Sequence, residues 1–292
     1  MQSLRFQSLT LLGLRLALVL SLLAVLPAAV LAATVAIVTD LQGKAAFTEA
    51  ARFGELTMLA NVEAGSRVQL QPNSTLVVLY LESGVQYSFL GPAEVVFPAG
   101  QPDVVEGARP LKRLPSAGGS IRIKPVGLSQ GGLVMRGPAR HERIKLLSAS
   151  GTRVLGGRPD LQWLAPQPGL KYRVEITDQA GRLVHEALVD EASMMLPIGM
   201  QLKDGASYLW EVSTGLPDGR KYASTGSFVV ADPELREAAL TMRANAMESF
   251  SSQVVYALWL EQVELNDEAK RLWRALSLKR PGDTMLRAIA ER

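Results

Sequence analysis

Between positions 65 and 97, in GSRVQLQPNSTLVVLYLESGVQYSFLGPAEVVF, apolar and polar residues follow the rhythm of successive short strands. Residues 76–81 are an unbroken apolar run rich in β-formers, of the length expected for a strand buried on both faces. Glu82-Ser83-Gly84 marks a tight turn. In 85–89 the side chains Val85, Tyr87 and Phe89 alternate with Gln86 and Ser88, so one face is dry and the other wet. Gly91-Pro92 interrupts the pattern, and 93–97 predicts a further strand that stops at Pro98. Residues 34–38 read as the opening strand of the same unit.

The texture changes over 99–119, where apolar residues thin out and Pro and Gly recur. This reads as a loop or linker with a short strand at Val104-Val105. Residues 121–123 alternate and predict a strand returning to the first unit. From 144 to 230 the strand rhythm resumes, with candidates at 144–147, 161–164, 172–177, 183–188, 194–196, 208–212 and 222–230. Turn signals such as Gly156-Gly157, Asp204-Gly205 and Asp218-Gly219 separate them. About seven short strands with such punctuation predict a β-sandwich.

After 231 the period becomes helical. Asp232 is a good N-cap and Pro233 suits the first helical position. Leu235, Ala238, Ala239, Met242 and Ala246 then recur on one face. A second helix is expected over about 252–263. A third follows Asn266-Asp267, with Ala269, Leu272, Trp273 and Leu276 on one face, and a short fourth follows Pro281-Gly282-Asp283.

Charge and composition change the picture at the N-terminus. Arg5 and Arg15 precede an uncharged run over 16–38, and the small residues of PAAVLAA close it. That is the pattern of an export signal, cleaved after Ala32. The alternative is an inner-membrane anchor over 16–38, facing the same compartment. The chain carries 31 Lys and Arg against 28 Asp and Glu, net +3. Without Arg5 and Arg15 the balance is 29 to 28, so the basic character does not indicate nucleic acid. The absence of cysteine rules out disulfides, thiolate nucleophiles and Cys-based metal sites.

Three resemblances follow from these residues. Leu41-Gln42-Gly43, Met58-Leu59, Val62, Gly65, Val68, residues 74–81, Ser83-Gly84 and Gly91-Pro92 resemble the FecR-type domain of bacterial periplasmic proteins, over 33–98. Trp163 and the Tyr208-x-Trp210 strand resemble fibronectin type III or immunoglobulin-like modules. Ala257, Leu260, Ala269, Trp273 and Pro281 resemble one tetratricopeptide unit. The expected fold is mainly β: a signal peptide at 1–32, a FecR-type β domain with linker at 33–125, an Ig-like β-sandwich at 126–230 and a helical tetratricopeptide-like tail at 231–292. One such unit does not bury its own face, so the tail must dock on a sandwich, a second copy or a partner.

The FecR resemblance implies a non-enzymatic periplasmic scaffold or sensor in envelope signalling, partnered by an inner-membrane signalling protein. Trp273, Leu260 and Trp259 are the candidate partner-binding residues. The alternative is a protein that binds peptidoglycan or another envelope polysaccharide through Trp163, Trp210 and the basic cluster Arg109, Lys112 and Arg113. Catalytic chemistry is not expected. Gly127-Leu128-Ser129-Gln130-Gly131 matches a nucleophile-elbow string, but Gly132, Gly137 and Pro138 follow where that motif needs a helix. His141 and His185, the two histidines, have no metal-ligand spacing, and neither a metal nor a cofactor is expected.

Overall fold

The computed structural model describes residues 33–49, 52–113 and 143–292. The expected signal peptide, its cleavage point, the 121–123 strand, Ser129 and His141 lie outside these residues.

Among the described residues ten strands build the first unit: β1 (Thr34–Gln42), β2 (Ala45–Glu49), β3 (Arg52–Glu55), β4 (Asn61–Glu63), β5 (Ser66–Leu70), β6 (Thr75–Tyr80), β7 (Gln86–Leu90), β8 (Ala93–Phe97), β9 (Asp103–Glu106) and β10 (Leu111–Arg113). They form two five-stranded sheets, ordered β10-β7-β6-β1-β4 and β3-β2-β5-β8-β9. The alternation in β5 and β8 places Val68, Leu70, Val95 and Phe97 in the core. Phe89 meets Phe97 edge-on, ring centroids 5.9 Å apart.

The chain passes from β1 into the second sheet at Gly43, whose φ is +82°. A Cβ there would lie 2.5 Å from Ser74 Oγ. That hydroxyl is already committed, accepting from Lys44 N at 2.8 Å and donating to Lys44 O at 2.9 Å. Only glycine fits both the backbone angle and the space.

Within the segment read as a loop or linker, the expected strand at Val104-Val105 is part of β9 and a second strand, β10, joins the sandwich, while 114–119 lie outside the described residues. β9 pairs with β8 and β10 pairs with β7, each closing one edge of a sheet. β10 was not legible because an edge strand that is exposed along its length needs few apolar residues.

The second unit holds β11 (Thr152–Val154), β12 (Asp160–Gln162), β13 (Tyr172–Asp178), β14 (Leu183–Val189), β15 (Ser193–Met195), β16 (Ser207–Gly215) and β17 (Lys221–Val230). Its main sheet runs β11-β17-β16-β13-β14, and β12 pairs with β15. The predicted strand at 144–147 reduces to a single bridge between Leu146 and Trp163. Immediately after it the chain turns through Ala149, at φ 50°. β11 carries no periodic signal; it forms by parallel pairing with β17.

Four helices follow: α1 (Pro233–Ala246), α2 (Phe250–Gln262), α3 (Asn266–Lys279) and α4 (Thr284–Ala290). Asp232 caps α1 by accepting from Leu235 N at 2.7 Å, Ser249 caps α2, and Asp283 caps α4. Among the described residues no helix is long and apolar enough to cross a membrane.

The tail docks on its own chain. Its buried residues, among them Val254, Leu258, Leu260, Trp273 and Leu276, form one continuous core with those of the first unit. This explains β1, in which residues 36–40 are all buried. One face of the strand meets the opposite sheet and the other meets α2. A small polar cluster sits in this contact: Thr39 Oγ1 lies 2.8 Å from Ser251 Oγ, which donates to Gln86 Oε1 at 2.8 Å.

The second unit has a separate core, and the tail meets it through polar contacts. Glu264 O accepts from Arg153 N at 2.7 Å and from Thr152 Oγ1 at 3.1 Å. Asn266 donates through its backbone to Thr152 Oγ1 and through its side chain to Gly151 O. Asp267 Oδ2 accepts from Ala149 N at 2.7 Å. The helices therefore brace both β units, and residues 34–292 make one compact unit.

Candidate functional site

Helix spacing builds a groove on the tail's open side. On α1, Arg236, Ala239, Leu240 and Arg243 fall at i, i+3, i+4 and i+7. Tyr256 and Leu260 of α2 form the floor, and Glu268, Arg271 and Leu272 of α3 the far wall. Leu155 closes one end, and the hollow encloses about 580 Å³.

The groove is apolar at its base and cationic at its rim. Arg236 is fixed, donating from Nε to Leu155 O at 2.8 Å and pairing through Nη2 with Asp204 at 2.5 Å. Arg271 Nη2 donates to Glu268 Oε1 at 2.6 Å. Arg243 is exposed. Burial pushes the Tyr256 phenol up, and the Arg243 charge opposes that shift.

Burial also pushes the Glu268 carboxyl above the usual glutamate range, with Arg271 opposing. A raised carboxyl favours the protonated form in the folded state. Its contribution to stability is full below the ordinary glutamate pKa and is lost as pH rises through the raised value. Glu268→Gln is expected to flatten that part of the pH–stability curve. Thermal midpoints across a pH series measure the difference, and superimposable curves for the two proteins would contradict it.

The expected partner-binding residues separate. Leu260 lies on the groove floor, 1% exposed. Trp273 is also 1% exposed and is used internally, its Nε1 donating to Glu261 Oε1 at 2.9 Å. Trp259 is half-buried and stacks on Tyr256, centroids 6.1 Å apart. As a direct contact for a partner Trp273 is corrected, because the helices bury it against one another, whereas Leu260 reaches the surface only as part of the groove floor. The groove's arginines were missed, although their spacing beside apolar α1 residues was visible in the sequence.

The polysaccharide set separates too. Trp163 and Trp210 are core residues, 2% and 1% exposed, with centroids 6.2 Å apart. Neither indole is available for stacking on a sugar, because inward positions of β-strands fill the sandwich. Arg109 is exposed on the loop between β9 and β10. Lys112 and Arg113 sit on β10, beside a second hollow of about 440 Å³ between the first sheet and the start of α2. Glu264 stands in the turn after α2, at φ 64°, and pairs with Arg153 at 3.2 Å.

No protein-family model matches the chain, and no curated protein matches it. Among solved structures it is similar to CopC from Methylosinus trichosporium OB3b, at 19% identity over 31% of this chain and 95% of that one, TM-score 0.25. It is also similar to a cytokine receptor complex, at 13% identity over 65% of this chain and 86% of that one, TM-score 0.23. The FN1–FN3 domains of chicken CNTN1 match at 15% identity over 66% of this chain and 57% of that one, TM-score 0.22. Scores this low carry no argument, and the sandwich description rests on the strand pairing above.

Proposed function

We propose that this chain is an exported, non-enzymatic FecR-domain protein that serves as a protein–protein interaction scaffold or sensor in envelope signalling. The charged start, apolar run and small-residue close of its N-terminus support export, and the motif residues from Leu41 to Pro92 support the FecR reading. The observation that carries the scaffold reading is the groove. Its base is formed by Ala239, Leu240, Tyr256, Leu260 and Leu272, and its rim by three arginines and one glutamate. An apolar base with a cationic rim suits a segment of a partner protein that carries apolar side chains flanked by a carboxylate. The bracing of both β units by the tail holds that groove in one fixed geometry.

In-cell photo-crosslinking tests this. A photoreactive residue in place of Leu240, which is 64% exposed, is expected to capture a partner segment containing Asp or Glu. Arg243→Glu in the same protein should reduce the adduct by about tenfold through like-charge repulsion. The same residue in place of Leu188, on the outer face of the second unit, should give no such adduct. Capture at 188 but not at 240, or capture indifferent to Arg243→Glu, would overturn the reading.

A further inference from the structure

We propose that the groove takes up a proton when it binds: a protonated Glu268 releases Arg271 to the carboxylate of the partner segment, so the segment is held more tightly as pH falls. This rests on the scaffold reading and adds the regulation of the same site.

Glu268 is the one carboxylate among the described residues that line the groove, which it shares with Arg236, Arg243 and Arg271. Glu268 and Arg271 stand three positions apart on α3 and so share a face. Arg271 Nη2 donates to Glu268 Oε1 at 2.6 Å. The two side chains differ in exposure: that of Glu268 is 23% exposed and that of Arg271 62%. The carboxylate is therefore the member that has lost water, and the guanidinium is the member with room to move. While ionised, Glu268 opposes an anionic segment in two ways. It repels the segment's carboxylate, and it occupies the arginine that would pair with it. One proton removes both effects.

The neighbouring charges leave this role to Glu268. On α3 itself Asp267 is engaged by Ala149 N, and its charge adds to the upward push on Glu268. From α2, the Tyr256 phenol is pushed up by burial and stays neutral. Glu261 of the same helix accepts from Trp273, has the Arg292 charge beside it and does not line the groove. From β11, Arg153 is paired with Glu264, and on α4 Arg287 donates to Pro281 O. Across the groove Arg236 is held by Leu155 and Asp204, and Arg243 is exposed. Burial already holds the Glu268 carboxyl above the usual glutamate range. An anionic segment in the groove raises it further, and by linkage that is the same free energy as tighter binding at low pH. The segment's own carboxylate, with an ordinary pKa of about 4, is still ionised where Glu268 begins to protonate.

Photo-crosslinking from position 240, in cells held at about pH 5.5 and about pH 7.5, tests the proposal. The adduct yield is expected to be at least about threefold higher at the lower pH. Glu268→Gln, close in size and neutral at both pH values, should give the low-pH yield at both. Arg271→Gln, at an exposed position, should lose most of the low-pH gain. Equal yields at the two pH values in the unaltered protein would overturn the proposal and leave the scaffold reading standing. The same pH response in Glu268→Gln would overturn it too, by assigning the response to the partner. A lower yield in Glu268→Gln with an unchanged thermal midpoint would do the same. No adduct at either pH would overturn the scaffold reading, and this inference with it.

Discussion

Trp210→Ala is expected to lower the unfolding free energy by about 3–5 kcal/mol, the range for removing a fully buried large aromatic side chain. Trp210 stands at the centre of the second core, with Trp163 beside it and Tyr172 meeting Trp163 edge-on at 5.2 Å. Its Nε1 donates to Ala149 O at 2.7 Å, and the N–H of that same residue is held by Asp267 of α3. Its other side is closed by Gly226, where a Cβ would lie 2.5 Å from Nε1. Truncation therefore opens a cavity, strands the Ala149 carbonyl and loosens the turn that ties the sandwich to the tail. Trp210→Phe separates these terms. It retains most of the apolar volume and removes the hydrogen bond, with an expected loss nearer about 1–3 kcal/mol, the cost of a buried unsatisfied group. Urea unfolding followed by circular dichroism measures both. A loss below about 1 kcal/mol for Trp210→Ala would show that this indole does not organise the core.

Val254→Asp is expected to release the helical tail from the first unit. Val254 lies one turn beyond Ser251, which bonds Thr39 of β1, so both face the same surface. Its exposure is 0%. Burying a carboxylate there without a partner costs several kcal/mol, and the folded state avoids that cost most cheaply by detaching the helices. Detachment would uncover Ile37 and Leu79, which lie on the helix-facing side of the sheet and belong to the same continuous core as the tail's apolar residues. Limited proteolysis should then cut near Asp232 far faster than in the unaltered protein, and the thermal midpoint should fall. Val254→Ala, which creates only a small cavity, should leave the tail protected. Equal proteolysis of Val254→Asp and the unaltered protein would show that this contact does not hold the tail.

Much of the local structure was legible because it is written in short-range terms. The period-two alternation at 85–89 and 93–97 corresponds to β7 and β8, and the caps at Asp232 and Asp283 begin α1 and α4 where they stand. Elements with little apolar content were not legible. β10 is Leu111-Lys112-Arg113, all exposed, and it exists because β7 offers it a free edge. β11 is three residues long and is held by β17 and by Glu264, more than a hundred positions away.

The candidate sites divide along the same line. Sequence alone placed tryptophans, arginines and lysines on strands and helices, and it bounded the chemistry by excluding cysteine. It did not decide which of those side chains would reach solvent. Trp163, Trp210 and Trp273 went inside because a packed core takes the largest apolar groups the strands and helices present to it. The hollow beside Arg113 exists only because α2 settles on the first sheet, and the groove beside Arg243 only because α1 and α3 pack on α2. Periodicity and capping are properties of neighbouring residues, so the sequence by itself determined the helices and the strands that carry an apolar alternation, with their buried faces. Which faces meet depends on contacts between distant segments, so the bracing of two sandwiches by one helical tail, and both cavities, were decided only by the tertiary structure.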